Sequence, residues 1–265
     1  MILTVKGLVL RSTKYGESDK LITVLTENGK MFFKARGIRS ITSKNAAGCA
    51  SFVYSEFILE KRGDRCFLRK AQPLYATVRQ GADIVSLSLA SYLASLAEET
   101  ALDAETGRAV LRLLMNALYL IAKEDRPCDL IKAVFEMRLM AALGQTPNLY
   151  ECAGCEKEAD AFPFVFFRPA QGDFLCSDCA DLKEEGLVRV SREVLALCRH
   201  SVECDESHAY ALKLPDSLLR DFSRFAERYL TDQLERGFKT LDFYREVSAL
   251  PAAPAKTKEE KNETV

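Results

Sequence analysis

The chain has 265 residues, 48% hydrophobic and 28% charged, the balance of a soluble folded protein of one large or two moderate domains. No uncharged run reaches the ~20 residues of a bilayer span. The longest obvious one, residues 84–97, carries four serines and stops at Glu98, and the first residues lack the apolar core of a signal peptide, so a cytoplasmic protein is expected. The net charge of −1 hides a division: residues 1–80 hold 15 Lys/Arg and 6 Asp/Glu (+9), the remainder 22 and 32 (−10). That asymmetry predicts a basic module for a polyanion joined to an acidic module with another role, against the plainer alternative of accidental segregation on a solvated surface.

Residues 1–78 read as β. Leu3, Val5, Leu8 and Leu10 begin one strand, 21–26 form a second, and Asn28-Gly29 is a hairpin signal leading into a third at 31–35. A serine-rich connection covers 38–48. Two more strands, 52–59 and 66–78, turn at Gly63-Asp64. Five short strands in this length suit a small barrel of the OB or SH3-like kind.

From Asp83 the period becomes helical. Leu87, Tyr92, Leu93 and Leu96 give one amphipathic stripe, and 109–122 gives a second helix. Pro127 opens a third, which runs to Leu143 and is stopped by Gly144 and Pro147. A cysteine-bearing segment then interrupts. Ser191 caps a further helix, Pro215 and Asp216 open a long one ending near Gly237, and 238–250 closes the fold. The class is therefore α+β: a barrel over 1–80, a helical domain over 81–250 with a module at 150–182, and a disordered tail over 251–265, which has almost no apolar content.

Cys152, Cys155, Cys176 and Cys179 form two Cys-x-x-Cys pairs with 20 residues between them. That spacing predicts one structural Zn²⁺ held by four thiolates, with no open position for catalysis. Four unligated thiols, or a redox pair, are the alternatives. Gly154 is expected to provide a permissive backbone in the first loop, with Phe162, Phe164, Phe167, Phe174 and Leu175 forming a hairpin that packs the module down. Cys198, His200, Cys204 and His208 are metal-capable residue types at a spacing that matches no common finger; partly buried Cys and surface His are expected there.

In the barrel, Lys14, Lys20, Lys30, Lys34, Arg36, Arg39 and Lys44 are interleaved with Tyr15, Phe32 and Phe33. Positive charge to follow phosphates and flat rings for stacking bases are what a single-strand binder needs. Strand alternation allows only some of Phe32, Phe33 and Phe67 to be exposed. Phosphate-binding glycine loops, nucleophile–histidine pairs and open metal sites are all missing, so a non-enzymatic role is expected.

Three stretches resemble the RecO family of bacterial recombination mediators: residues 6–40, including the turn Gly16-Glu17-Ser18; residues 135–155; and residues 225–247. The resemblance implies an OB-fold DNA-binding domain, a helical domain and a zinc module. It also implies binding of single- and double-stranded DNA, annealing of complementary strands, and help in replacing single-strand-binding protein by RecA, with RecR as partner, in the bacterial cytoplasm at the nucleoid. The acidic C-terminal tail of single-strand-binding protein would dock on the helical domain, with Lys132 or Arg138 as the cation for its carboxylates. The DNA contacts would be Lys14, Lys20, Lys34, Arg36, Arg39 and Lys44. The loop after Arg36 holds only Arg39 and Lys44, fewer basic residues than is usual in the family. A zinc-ribbon RNA-binding or ribosome-associated protein, and a thiol oxidoreductase, are the competing classes.

Overall fold

The computed structural model describes residues 1–78 and 82–250, so the expected tail and the junction between the two expected domains lie outside the described residues. The first half is β: β1 (Ile2–Tyr15), β2 (Asp19–Thr26), β3 (Gly29–Ala35), β4 (Val53–Arg62) and β5 (Arg65–Ala76). They neighbour one another in the order β1-β2-β3-β5-β4, and β1 pairs with both β2 and β4 along different parts of its length. β3 meets β5 through one parallel registration, Lys34 with Phe67. A bulge between Val9 and Arg11 lets β1 bend from one partner to the other. Val9, Ile22, Val24, Phe33, Phe57 and Leu59 fill the interior of this curled sheet.

The β2–β3 hairpin differs from the sequence expectation by one residue. Its two loop residues are Glu27 and Asn28, because Thr26 pairs with Gly29, which closes the turn at φ +92°. The Thr26 hydroxyl fixes this register by donating to the Gly29 carbonyl and accepting from the Asn28 N–H.

Helices follow: α1 (Ile84–Thr100), α2 (Ala104–Lys123), α3 (Cys128–Ala142), α4 (Arg192–Glu203), α5 (Glu206–Ala209), α6 (Asp216–Gln233) and α7 (Lys239–Ser248). Between α3 and α4 lies a three-stranded sheet in the order β7-β6-β8, made of β6 (Phe164–Arg168), β7 (Asp173–Leu175) and β8 (Val188–Ser191). α1 is less amphipathic than expected. It is covered on most sides, and Leu87, assigned to the apolar stripe, is one of its exposed residues. α2 begins five residues before its sequence estimate, on a capping box between Asp103 and Thr106.

The barrel is built into the helices. Leu8, Leu10 and Leu25 belong to the helical core, so β1 and β2 are buried on both faces there. A Cβ on Gly107 of α2 would lie 2.6 Å from the Gly29 Cα, so the hairpin turn and the helix touch backbone to backbone. Beside this contact the Lys30 N–H donates to the Ala101 carbonyl (3.0 Å), and Lys30 Nζ donates to the Glu98 carbonyl at the α1 C-terminus (2.7 Å). Arg11 pairs with the Glu98 side chain at 2.7 Å.

Candidate nucleic-acid interface and metal centre

Alternation along β3 sends Phe33 and Ala35 inward and Phe32 and Lys34 outward. Phe33 is 1% exposed and Phe32 is 65% exposed, which settles which ring is core and which is surface. Around Phe32 lies a groove of about 350 Å3, lined by Tyr15, Leu21, Lys34, Arg36, Arg65 and Phe67. Cations lie over its rings: Lys34 Nζ is 4.4 Å from the Tyr15 centroid and the Arg36 guanidinium 4.8 Å from that of Phe67. Such pairs keep a flat apolar face and a positive charge side by side.

The basic residues expected from the sequence fare differently. Lys14, Arg36 and Lys44 are exposed and make no ion pair among the described residues; Lys20 is half-buried and also unpaired. Lys34 is held by Asp19 at 2.9 Å, and that bond, with the Gly37 N–H, pulls the Asp19 carboxyl down to about 2. Arg39 donates to the Glu17 carbonyl, and its own N–H bonds the Ser18 carbonyl, so it ties the loop after β3 to the Gly16-Glu17-Ser18 turn. Lys30 is spent on the seam with α1. The sequence reading missed Arg62 and Arg65. The signal was present, since the Gly63-Asp64 turn is flanked by Lys61, Arg62, Arg65, Arg69 and Lys70. Arg65 lines the groove, and Arg62 sits 5.7 Å from the Phe67 centroid.

The four cysteines converge in the module, their sulfurs all within 4.8 Å of one another. Cys155 and Cys176 sulfurs are 3.7 Å apart, too far for a disulfide and close to the ~3.8 Å edge of a tetrahedron with ~2.3 Å metal–sulfur bonds. The Cys152 sulfur accepts N–H groups from Cys176 (3.2 Å) and Gly154 (3.4 Å). Burial raises this thiol, but those N–H groups outweigh it and draw Cys152 below the ordinary thiol range. Soft donors, matching separations and stabilised negative charge fit a divalent ion. Gly154 is needed for space rather than for backbone freedom: a Cβ there would lie 3.0 Å from the Cys179 sulfur, and the left-handed residue of this loop is Glu156. The β6–β7 hairpin anchors the cluster, with Phe167 packed 4.8 Å from Phe225 and 5.7 Å from Tyr229 of α6.

Residues 1–76 match the family described as Recombination protein O N terminal, and residues 81–242 match Recombination protein O C terminal. The chain belongs to the RecO family. The DNA repair protein RecO of Acetivibrio thermocellus is 27% identical over 244 residues, covering 92% of this chain and 96% of that protein. RecO of Heliobacterium modesticaldum is 31% identical over 222 residues, covering 82% and 80%.

Two expectations that followed from the RecO resemblance meet a different environment. Lys132, one expected cation for a partner's tail, is 1% exposed and lies inside the bundle, paired with Glu136 (3.1 Å) and Glu227 (2.8 Å). Arg138, the other, is half-buried and donates to the carbonyls of Ser201 (2.7 Å) and Cys204 (2.9 Å). Both are committed to holding helices together. The periodicity of α3 gave no warning, because a lysine on a central helix looks the same in sequence as one on a surface helix. Among the described residues of this RecO-family chain, the metal-capable cluster is the four-cysteine set alone; Cys198 is fully buried and its thiol is pushed well up by that burial. No helix among the described residues is long and apolar enough to cross a membrane.

Proposed function

We propose that the protein is a non-enzymatic mediator of DNA repair and recombination, with an OB-fold barrel that binds DNA and a helical domain that binds partners. The observation that carries this reading is the barrel groove. An exposed Phe32 stands beside Tyr15 and Phe67, whose rings lie under Lys34 and Arg36. Stacking rings within a positive surface suit single strands of any sequence. Holding bases unpaired and accessible is the physical requirement for annealing complementary strands. Family membership supports the wider role of clearing single-strand-binding protein so that RecA can load, together with RecR, in the cytoplasm at the nucleoid. One structural Zn²⁺ on Cys152, Cys155, Cys176 and Cys179 stabilises the helical domain.

The tail of single-strand-binding protein needs an apolar socket with a free cation, which neither Lys132 nor Arg138 supplies. A pocket of about 290 Å3, with Leu130, Leu212, Leu214 and Leu219 beside Lys213, suits an apolar end and a carboxylate.

Titration of the full chain with labelled oligothymidylate at several salt concentrations tests the reading. With about four phosphates neutralised, the log–log slope is roughly −3, and Arg36→Ala makes it shallower by roughly 0.7. A salt-independent signal would contradict phosphate contacts in the groove, and tighter binding to structured RNA without annealing of complementary DNA would favour the RNA-binding alternative.

A further inference from the structure

A groove of about 550 Å3 lies on the acidic helical part, far in sequence from the barrel, between β6, β8 and α6. Its lining includes Phe164, Arg189, Asp221, Arg224 and Arg228. Arg220, Arg224 and Arg228 recur every four residues on α6, so they share one face, and all three are exposed. Phe222 and Tyr229 bury the opposite face, and Phe225 forms part of the groove floor. Arg228 is paired with Asp232 at 2.8 Å, whereas Arg189, Arg220 and Arg224 have no carboxylate partner among the described residues. In a part of the chain with net charge −10, a stripe in which two of three arginines lack a carboxylate partner among the described residues runs against the composition, even with Asp221 in the lining.

The aromatic element of the barrel groove recurs here. β6 turns Val165 and Phe167 inward and leaves Phe164 and Phe166 half-buried on its other face. The Arg189 guanidinium lies 3.8 Å from the Phe164 centroid, and Arg189 is the cross-strand partner of Phe166.

We propose that this arginine-lined groove is a second nucleic-acid site, which takes the backbone of one single strand while the barrel groove holds another. The inference rests on the reading of the barrel as a strand-binding surface and extends it. Steps of four helical residues advance about 6 Å, comparable with successive phosphates of a stretched strand. Arginine forks match phosphate oxygens in pairs, and the Arg189–Phe164 plane offers a stacking surface. An acidic peptide would satisfy the charges but would leave the aromatic face without a partner.

The test uses the full chain and two oligothymidylates, labelled as donor and acceptor, which cannot pair with each other. The wild type should bind two strands per chain at low salt. Arg220→Glu with Arg224→Glu should abolish the second binding event and leave the first at its original affinity and salt slope, with the thermal midpoint unchanged because both residues are exposed. Arg189→Lys keeps the charge and loses the plane, and should weaken the second event several-fold without abolishing it. A single event in the wild type, or a second event indifferent to the double variant, would overturn the proposal. So would loss of binding to a glutamate-rich peptide probe with both strand events intact, since that assigns the groove to an acidic protein. Failure of the barrel reading is separate: Arg36→Glu would then leave both events unchanged.

Discussion

Lys132 lies 2.8 Å from a Glu227 carboxylate oxygen and 3.1 Å from one of Glu136, in an interior where Glu136 has no exposure at all. Tyr92 donates its hydroxyl to Glu136 at 2.8 Å, Ser223 accepts from Lys132 at 3.4 Å, and Arg245 closes the far side of Glu227. One ammonium thus joins α1, α3, α6 and α7. Removing it by Lys132→Ala leaves the buried Glu136 carboxylate uncompensated, while Glu227 keeps Arg245, and should cost about 3–5 kcal/mol. Replacing the pair together, as Lys132→Met with Glu136→Gln, should cost far less. Urea unfolding of both variants measures the difference, and equal losses would contradict the ionic account.

The same cluster gives a pH dependence. Burial raises the Glu136 carboxyl to about 7 from its ordinary 4.5, with Lys132 pulling the other way. The folded state then binds this proton more tightly than the unfolded state. Its contribution to stability is full below about 4.5 and is lost as pH rises through about 7. Glu227 has the opposite sign, since Lys132 and Arg245 outweigh its burial and lower it; its contribution is lost as pH falls below the ordinary carboxylate range. Glu136→Gln should therefore flatten the decline in unfolding free energy between about pH 5 and about pH 7.5, a range set by these shifts. Identical slopes in wild type and variant would rule this out.

For the metal centre we expect one zinc per chain by elemental analysis. Cys176→Ser should abolish stoichiometric zinc and lower the thermal midpoint, because metal-binding energy in such a module is partly folding energy. A chelator-stripped wild type that melts at the same temperature as the loaded protein would show that the ion has no structural part.

Phe32 and Phe33 are adjacent and face opposite ways, so their alanine variants should fail differently. Phe32→Ala should keep stability and lose about 1–3 kcal/mol of single-strand affinity. Phe33→Ala should lose about 3–5 kcal/mol of stability through the cavity it opens beside Phe57, 5.0 Å away. Paired denaturation and binding curves decide it; an unstable Phe32→Ala would move that ring into the core.

Asp19 restrains a cation at the groove rim. Asp19→Asn retains an oxygen to accept the Gly37 N–H, now 2.8 Å away, while releasing Lys34. Oligothymidylate should bind more tightly, with a salt slope steeper by roughly 0.7 if the freed lysine gains one phosphate. Weaker binding would mean that the ion pair itself shapes the groove.

Sequence pattern carried the succession of strands, the helix starts at Asp83, Pro127, Ser191 and Pro215, and the four thiols, because turns, caps and ligand spacing are local. It carried less where a residue's meaning depends on a distant neighbour. Gly107 lies ahead of the 109–122 range expected for α2, and nothing local marks its role; its missing side chain serves the approach of Gly29, 78 positions earlier in the chain. Lys132 and Arg138 read as surface cations until α6 and α4 cover them. Alternation required that Phe32 and Phe33 differ, yet only the assembled barrel decides which is inside.

The contact of Gly29 with Gly107 bears on heredity. Any side chain at Gly107 would collide with the hairpin, and a barrel severed from the helices would bare Leu8, Leu10 and Leu25 to water. A gene fragment encoding either half alone would yield a sticky polypeptide prone to aggregation. Recombination that shuffles modules between genes is therefore constrained here: the two halves must be passed on together, and glycine at position 107 must be passed on with them.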